Sequence, residues 1–215
     1  MEWVRARTEE QKEQRISEIV DATARLYKKH RFEEITFVSI AREATFTRSN
    51  LYKYFNSKEE IFFEFLKHDI ILWRQDLVAT LQKKKGCSVG EFASVWLEVQ
   101  GRHERMLDLI SILYAYLEKN SSIESLIDFK TMAKDEFKIL SELLCGLFPT
   151  LSIENAVKFL NMQLAASIGL YTMTNLSATQ QMVLEKPEFE HFKVDYHIYF
   201  EEVVEYLLQG LLSDE

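Results

Sequence analysis

Apolar side chains recur at offsets of three and four along most of the chain. Near the start, Ile16, Ile19, Val20, Thr23, Ala24 and Tyr27 form one such stripe. That is the period of a helix buried on one face, and it predicts a helix over residues 8–29. His30, Arg31 and Phe32 make a short connection. Thr36 then precedes a second, short apolar face of Phe37, Ile40, Ala41 and Ala44, and its hydroxyl can cap that helix by accepting from a free backbone amide. Thr45 and Phe46 form a turn, and Thr47 caps a third short helix whose inward residues include Leu51 and Phe55. Ser57-Lys58-Glu59-Glu60 reads as a capping box, with Ser57 accepting from the Glu60 amide and Glu60 reaching back to the Ser57 amide. A long helix follows through Ile61, Phe62, Phe65, Leu66, Asp69, Leu72, Trp73, Leu77 and Leu81. Lys83-Lys84-Lys85-Gly86 ends it, with cations on the negative end of the helix dipole and glycine as the stop.

The same reading predicts helices over residues 89–101, 103–119, 122–148 (capped by Ser122 and halted before Pro149), 152–176 (capped by Ser152), 178–185 and 190–212. No repeat, low-complexity tract or strand pattern interrupts them. Six Gly and two Pro in 215 residues are too few to punctuate a β fold, so the fold class is all-α. With 47% hydrophobic and 28% charged residues, the composition is that of a folded globular chain.

Charge narrows the search for a site. The net charge of −8 argues against a protein coated with nucleic acid, but the acidity is uneven. Residues 1–60 hold 12 Lys and Arg against 11 Asp and Glu, whereas residues 61–215 hold 14 against 23. A surface for nucleic acid belongs near the start. Cys87 and Cys145 form neither a metal-type pair nor a disulfide framework, which fits a reducing cytoplasm. The first eight residues do not read as a signal peptide, and the best apolar stretch, residues 164–173, is too short and polar to span a bilayer, so no membrane partner is expected.

Two short capped helices joined by a tight turn, behind a longer helix, suit a helix-turn-helix. Its second helix enters the major groove with its N-terminal residues at the base edges. The outward residues have matching chemistry. Arg48 can bond guanine bidentately, Asn50 can read adenine, and Ser49 can donate or accept. Tyr52, Lys53 and Tyr54 can hold phosphates or touch base edges. Lys58, unfavourably placed for the helix dipole, would be relieved by a phosphate. From Arg42 to Lys58 there are four cations and one anion, Glu43. The other reading of these residues is a solvated face on a three-helix subdomain.

The run Ile35-Thr36-Phe37-Val38-Ser39-Ile40-Ala41-Arg42-Glu43-Ala44-Thr45-Phe46-Thr47-Arg48-Ser49-Asn50-Leu51-Tyr52-Lys53-Tyr54-Phe55-Asn56-Ser57-Lys58-Glu59-Glu60-Ile61 resembles the TetR family signature. The likeness lies in a Thr opening helix two, an Ile-Ala core pair, a turn, a Leu-Tyr-x-x-Phe recognition helix and a Lys-Glu-x-hydrophobic entrance to helix four. It covers about residues 10–65. The resemblance implies an N-terminal three-helix helix-turn-helix DNA-binding domain, residues 1–60, and a C-terminal helical ligand-binding and dimerisation domain, residues 61–215. It implies DNA roles for Thr36, Thr47, Arg48, Ser49, Asn50, Tyr52, Lys53, Tyr54 and Lys58, and core places for Ile40, Ala41, Leu51 and Phe55. Two departures stand out. Thr45 occupies the turn position usually held by Gly, and His30-Arg31 follows helix one where a Gly is usual. Thr45 is therefore expected to adopt an uncomfortable backbone geometry.

By the same resemblance, the chain is a ligand-responsive transcription regulator, a repressor, that binds a palindromic double-stranded operator as a homodimer. The alternative is a helix-turn-helix regulator controlled by a protein partner. The last two long helices would form the dimer, through Ala165, Ala166, Ser167 and Gly169 on one and Val203, Val204, Leu207, Leu208, Leu211 and Leu212 on the other. The competing reading is burial within one copy. A medium-sized, largely apolar effector would meet Trp73, Trp96, Gln100, His103, Tyr114, Phe137, Met162, Gln163 and Tyr171, although aromatics at helical spacing also make plain core. The helix from Ser57 would be the lever between ligand and DNA head. His197, Glu201 and Glu205 share a stripe that could hold a metal but reads as a solvated face; no metal or cofactor is expected. Neither cysteine shows a sign of a lowered pKa, and no phosphate loop or nucleophile motif suggests an enzyme.

Overall fold

The computed structural model describes residues 9–84 and 86–213. Thr8, the expected start of the first helix, and Lys85 lie outside the described residues. Among those described there are ten α-helices and no strand. They are α1 (Glu9–Tyr27), α2 (Phe37–Glu43), α3 (Arg48–Leu51), α4 (Lys58–Leu81), α5 (Val89–Gly101), α6 (Glu104–Ser111), α7 (Ile123–Leu147), α8 (Ile153–Thr174), α9 (Ala178–Leu184) and α10 (Tyr196–Ser213). The caps lie where the hydroxyl residues stand. Thr36, Thr47, Ser88, Ser122, Ser152 and Ser177 each accept from the amide three residues on, at 3.1–3.4 Å. Each bond satisfies a donor that the helix itself leaves free. Gly86, at φ +72°, turns the chain after α4.

Two segments depart from the expected helices. Residues 103–119 do not form one helix: α6 stops at Ser111, a π turn follows at Leu113–Leu117, and a 3-10 turn at Glu118–Asn120. Side chains compete for carbonyls here, with the Ser111 hydroxyl donating to Asp108 O at 2.6 Å and the Ser121 hydroxyl to Leu117 O at 2.8 Å. The last helix starts later than residue 190. Pro187–Phe192 is a 3-10 turn, and Asp195 starts α10 by accepting from the amides of His197 at 2.9 Å and Ile198 at 3.2 Å.

The chain forms two compact units. The first holds residues up to 68 together with 113–130; the second holds 69–112 and the chain from 131. The boundary between the units cuts across α4 and α7, each of which belongs partly to both. In the first unit, Ile19, Ile40, Leu51, Phe55 and Ile61 are buried around an aromatic centre. There Phe62 meets Tyr27 and Phe32 edge-on at 5.2 and 4.9 Å, and Phe63 stacks on Phe129 at 4.6 Å. Lys67 joins Glu64 and Asp128 at 2.6 Å each, tying α4 to α7.

Glu60 is buried there, and its bonding differs from the expected box. Ser57 does accept from the Glu60 amide, at 3.3 Å. The carboxylate, however, takes the amide of Asn56 at 2.7 Å and that of Ser122 at 3.1 Å. It thereby caps the starts of both α4 and α7.

In the second unit α10 packs on α8 and α5; Phe200, Val204 and Leu208 of α10 are buried, as are Phe92 and Trp96 of α5 and Phe159 of α8. Asp69 is buried in a bidentate pair with Arg105 (2.7 and 2.5 Å), and Arg74 meets buried Glu136 at 2.7 Å. Among the described residues no helix is long and apolar enough to cross a membrane.

Burial pushes the Glu60 carboxyl up, but its bonds from Ser122 and Asn56 outweigh burial and hold it below the usual carboxylate range. A depressed folded value contributes stability above the unfolded pKa, and that contribution is lost as pH falls through the folded value. Glu60→Gln should lower stability by about 1–3 kcal/mol at neutral pH, since one oxygen acceptor becomes a donor facing buried amides. It should also flatten the acid limb of stability against pH. Urea unfolding from pH 7 to pH 3 checks both; an unchanged acid limb would remove Glu60 as the titrating group.

Candidate functional site

The site begins at two hydroxyl caps. Thr36 and Ser39 cap reciprocally, Ser39 N donating to Thr36 Oγ1 at 3.1 Å and Thr36 N to Ser39 Oγ at 2.9 Å, and this fixes the start of α2. At its end, Phe46 N donates to Ala41 O at 2.8 Å and Thr45 N to Arg42 O at 3.2 Å. This is the Schellman arrangement, whose pivot residue is left-handed. The pivot is Thr45, at φ +58°, the non-glycine residue with positive φ among those described. The usual Gly is missing, and the chain still makes the turn. In the connection between α1 and α2, residues 28–36, no residue is left-handed, so His30-Arg31 closes α1 without needing Gly.

Thr47 then starts α3, a single turn anchored by buried Leu51 and, just beyond it, Phe55. Its outer side is polar. Thr36, Thr47, Arg48, Ser49, Tyr52 and Lys53 are exposed, while Asn50 and Tyr54 are half-buried. These groups brace one another. The Arg48 guanidinium donates to Tyr52 Oη at 3.1 Å and lies 5.5 Å over its ring, and that ring packs on Phe37 at 4.7 Å. Lys53 Nζ donates to Asn50 Oδ1 at 2.6 Å, and Thr47 Oγ1 pairs with Ser49 Oγ at 3.0 Å. Tyr54 meets Phe46 edge-on at 6.5 Å. Phe37 is a bracing residue that the sequence shows only as part of the α2 apolar face. Arg25–Glu43, at 2.7 Å between α1 and α2, gives no sequence signal at all.

Lys58 is placed differently from the phosphate contact expected of it. It is half-buried and donates to the carbonyls of Phe32 at 2.7 Å and Ile35 at 2.9 Å, with its ammonium 4.0 Å over the Phe32 ring. Desolvation pulls its pKa below the ordinary lysine value, against the opposing charges of Glu59 and Glu33. The helix dipole that disfavours a lysine at this position is offset by two carbonyls and a ring. Lys58 thus fastens the approach to α2 onto the start of α4.

The expected ligand residues divide. Trp73 and Trp96 meet edge-on at 5.2 Å in the second unit, and Gln100 lies one turn beyond Trp96 on α5. Gln100 Nε2 donates to Ser167 Oγ at 2.8 Å, and Ser167 Oγ lies 2.9 Å from Tyr196 Oη. Tyr171 packs edge-on against Tyr196 at 5.9 Å and donates to Asp108. Gln163 is buried on its own helix, bonded to Leu160 O at 3.0 Å, and Phe137 is half-buried. His103 pairs with Asp76 at 3.3 Å. Two further residues lie away from the buried groups. Met162 points outward at 48% exposure, and Tyr114 belongs to the first unit, half-exposed beneath Lys130.

The expected dimer face is revised in the same way. Val204, Leu208 and Leu211 are buried within one copy, as is Ser167, because this stripe of α10 faces α8 and α5. Ala165 and Gly169 are exposed, Ala166, Val203, Leu207 and Leu212 half-exposed. Beside them the apolar side chains Val157, Met173, Ile198, Tyr199 and Tyr206 also face outward. Of the His197, Glu201 and Glu205 stripe, Glu201 accepts from Ser94 and Glu205 from Gln209. Among the described residues no group of acidic, His and Cys side chains is arranged to hold a metal. Burial raises both the Cys87 and Cys145 thiol pKa values, with Glu91 adding to the rise at Cys87.

A capped helix-turn-helix in an all-α chain defines a helix-turn-helix transcription regulator. Residues 19–65 match the model of bacterial regulatory proteins of the tetR family, and residues 67–215 match that of the tetracyclin repressor-like C-terminal domain. The chain belongs to the TetR family of transcription regulators. No curated protein sequence matches it. Solved structures share its fold. Thermus thermophilus FadR, a TetR family repressor in complex with lauroyl-CoA, has 16% identity and a TM-score of 0.59, covering 93% of this chain and 96% of that one. A TetR/AcrR family regulator from Thermobifida fusca has 20% identity and a TM-score of 0.54, covering 94% and 98%. The multidrug binding protein EbrR, complexed with imidazole, has 17% identity and a TM-score of 0.54, covering 90% and 94%.

A β-branched residue in the left-handed region costs on the order of 1–2 kcal/mol, partly recovered through the lower entropy of its unfolded state. Thr45→Gly should therefore stabilise the protein by up to about 1 kcal/mol, and Thr45→Val should destabilise it relative to wild type. Thermal unfolding of the three proteins tests this. A lower midpoint for Thr45→Gly would mean that the Thr45 hydroxyl bond to Ala44 O, 2.6 Å long, outweighs the backbone strain.

Proposed function

We propose that this chain is a cytoplasmic, ligand-responsive repressor that binds a palindromic operator as a homodimer and performs no catalysis. The observation that carries the reading is the outward row Thr47, Arg48, Ser49, Asn50, Tyr52 and Lys53, presented on one rigidly capped turn. Arg48, held over Tyr52, is the base reader. Thr36, Thr47, Ser49, Tyr52, Lys53 and Tyr54 hold phosphates or adjoining edges, and Asn50 reads adenine once Lys53 releases its Oδ1. Lys58 acts through position, keeping the entrance to α2 in place. Residues 1–60 serve DNA and residues 61–215 serve effector and dimer.

The dimer uses the outward faces of α8 and α10, with Ala165 and Gly169 allowing close approach and Val203, Leu207, Ile198 and Tyr206 supplying apolar area. Small-molecule control is supported by the complexes of FadR with lauroyl-CoA and EbrR with imidazole. Ligand and operator would be coupled through α4 and α7, which run through both units. Such coupling typically amounts to about 1–3 kcal/mol and must be reciprocal.

Operator-binding titrations at several salt concentrations test the DNA assignments. Arg48→Ala should lose about 1–3 kcal/mol of discrimination at one base position. Lys53→Ala should weaken all sequences alike and reduce the salt slope by about one, whereas Lys58→Met should leave the slope unchanged and lower stability instead. A reduced slope for Lys58→Met would return Lys58 to the phosphates.

The interface is tested by light scattering. Ala165→Glu and Leu207→Glu should give folded monomers, while Leu211→Glu should unfold the protein because its side chain is only 9% exposed within one copy. Dimers persisting in both Ala165→Glu and Leu207→Glu would place the interface elsewhere.

A further inference from the structure

Among the described residues, three buried side-chain atoms of the second unit have no hydrogen-bond partner: Trp73 Nε1, Trp96 Nε1 and Gln100 Oε1. Their residues are 7%, 0% and 3% exposed. Buried polar groups are nearly always paired, and an unpaired one is destabilising. These three are neighbours. The Trp73 and Trp96 rings touch edge to face at 5.2 Å, and Trp96 and Gln100 are four residues apart on one face of α5. The other end of the Gln100 amide is engaged, with Nε2 donating to Ser167 Oγ at 2.8 Å. Turning the amide over would satisfy the oxygen at Ser167 and strand the nitrogen, so the shortage is a property of the place. Phe92 and Phe159 pack on the Trp96 ring at 5.4 and 5.5 Å and add apolar aromatic surface beside it.

We propose that the two indole N–H groups and the Gln100 carbonyl form the recognition site for a neutral amide-type ligand, in which a carbonyl oxygen stands beside an N–H on an apolar body. This rests on the reading of the second unit as effector-binding and names the ligand's chemistry. The carbonyl oxygen has two lone pairs and accepts from Trp73 and Trp96, while the ligand N–H donates to Gln100 Oε1. A carboxylate would satisfy the indoles but set its charge against the Gln100 oxygen in a desolvated aromatic site. A hydrocarbon would leave all three protein atoms unpaired. Of the three residues Trp73 lies nearest the surface, at 7% exposure.

The test uses the full chain and three probes of one shape: 2-naphthamide, 2-naphthoate and 2-methylnaphthalene. Indole resonances of ¹⁵N-tryptophan protein, assigned with Trp73→Phe and Trp96→Phe, report binding at each ring. The expected result is a saturable downfield shift of both the Trp73 and Trp96 N–H signals with 2-naphthamide, at an affinity at least about tenfold above the other two probes. Gln100→Leu should lower 2-naphthamide affinity about tenfold and leave 2-methylnaphthalene unaffected. Should Gln100→Leu not fold, Trp73→Phe, which keeps an aromatic ring and removes one donor, should show the same selective loss. Equal affinities for amide and hydrocarbon, unaltered by these substitutions, would overturn the polar site and leave a ligand-binding unit standing. If none of the probes shifts either indole, the amide site falls, while the effector-binding reading stands or falls separately on whether any small molecule changes operator affinity.

Discussion

The starts of α4 and α7 meet at one carboxylate. Glu60 sits in the first helical turn of α4, accepts from Asn56 before it, and accepts from Ser122 at the start of α7. A buried carboxylate is ordinarily expensive, but here it faces two helix N-termini, where free amides and the positive ends of two dipoles converge. These are also the helices that belong to both compact units. α4 supplies Phe62 and Phe63 to the core of the first unit and Trp73 to that of the second; α7 supplies Phe129 to the first and Leu140 and Leu144 to the second. The registration of two long helices therefore starts from a single anion, and no aliphatic contact could specify it as narrowly.

The small DNA head depends on the same kind of accounting at shorter range. A one-turn helix such as α3 has no stability of its own, because nucleating a helix costs more than one turn returns. It exists because Thr47 satisfies its first free amide, Leu51 and Phe55 anchor its inner side, and the Schellman turn at Thr45 delivers the chain at the right angle. With the backbone so determined, the strain at Thr45 is tolerated locally. The polar row outside is pre-organised by Phe37, Tyr52 and Arg48 packing in sequence. Side chains ordered before DNA arrives lose less entropy on binding.

Much of this is legible in the sequence where a local rule has one outcome. A hydroxyl residue ahead of an apolar period gives a cap, so α2, α3, α5, α7 and α8 begin where Thr36, Thr47, Ser88, Ser122 and Ser152 stand. The left-handed Thr45 is likewise legible, since the turn needs that conformation whichever residue occupies it. Legibility fails where the outcome depends on a distant partner. Glu60 could close its own box or reach Ser122, 62 residues away, and only the tertiary fold decides. Lys58 looks free from its neighbours, but its partners Phe32 and Ile35 lie on the far side of α2 and α3 in sequence. On α10, apolar residues cover so wide an arc that period alone cannot separate the stripe facing α8 from the stripe facing outward. Val204 and Leu208 prove to be inside, and Val203 and Leu207 half-exposed. The break after α6 has no Gly or Pro to announce it.

The core of the second unit keeps a line of bonded polar side chains among its aromatics. Gln100 belongs to α5, Ser167 to α8 and Tyr196 to α10, so one hydrogen-bonded chain joins three helices. Burial lifts the Tyr196 hydroxyl pKa to about 12, above its ordinary value, even though its bond with Ser167 acts to lower it; the phenol stays neutral and keeps its proton for the chain. An aliphatic core would be at least as stable, but it would respond to any greasy molecule of suitable size. On the proposed effector reading, a hydrogen-bonded chain with an unfilled end at Gln100 would respond to a ligand that completes it, and the completed bond would be felt directly by α8 and α10. A ligand shifts a conformational equilibrium only by its differential affinity for the two states. A directional bond that forms in one arrangement of three helices and not in another supplies such a difference, which non-directional apolar contact supplies poorly.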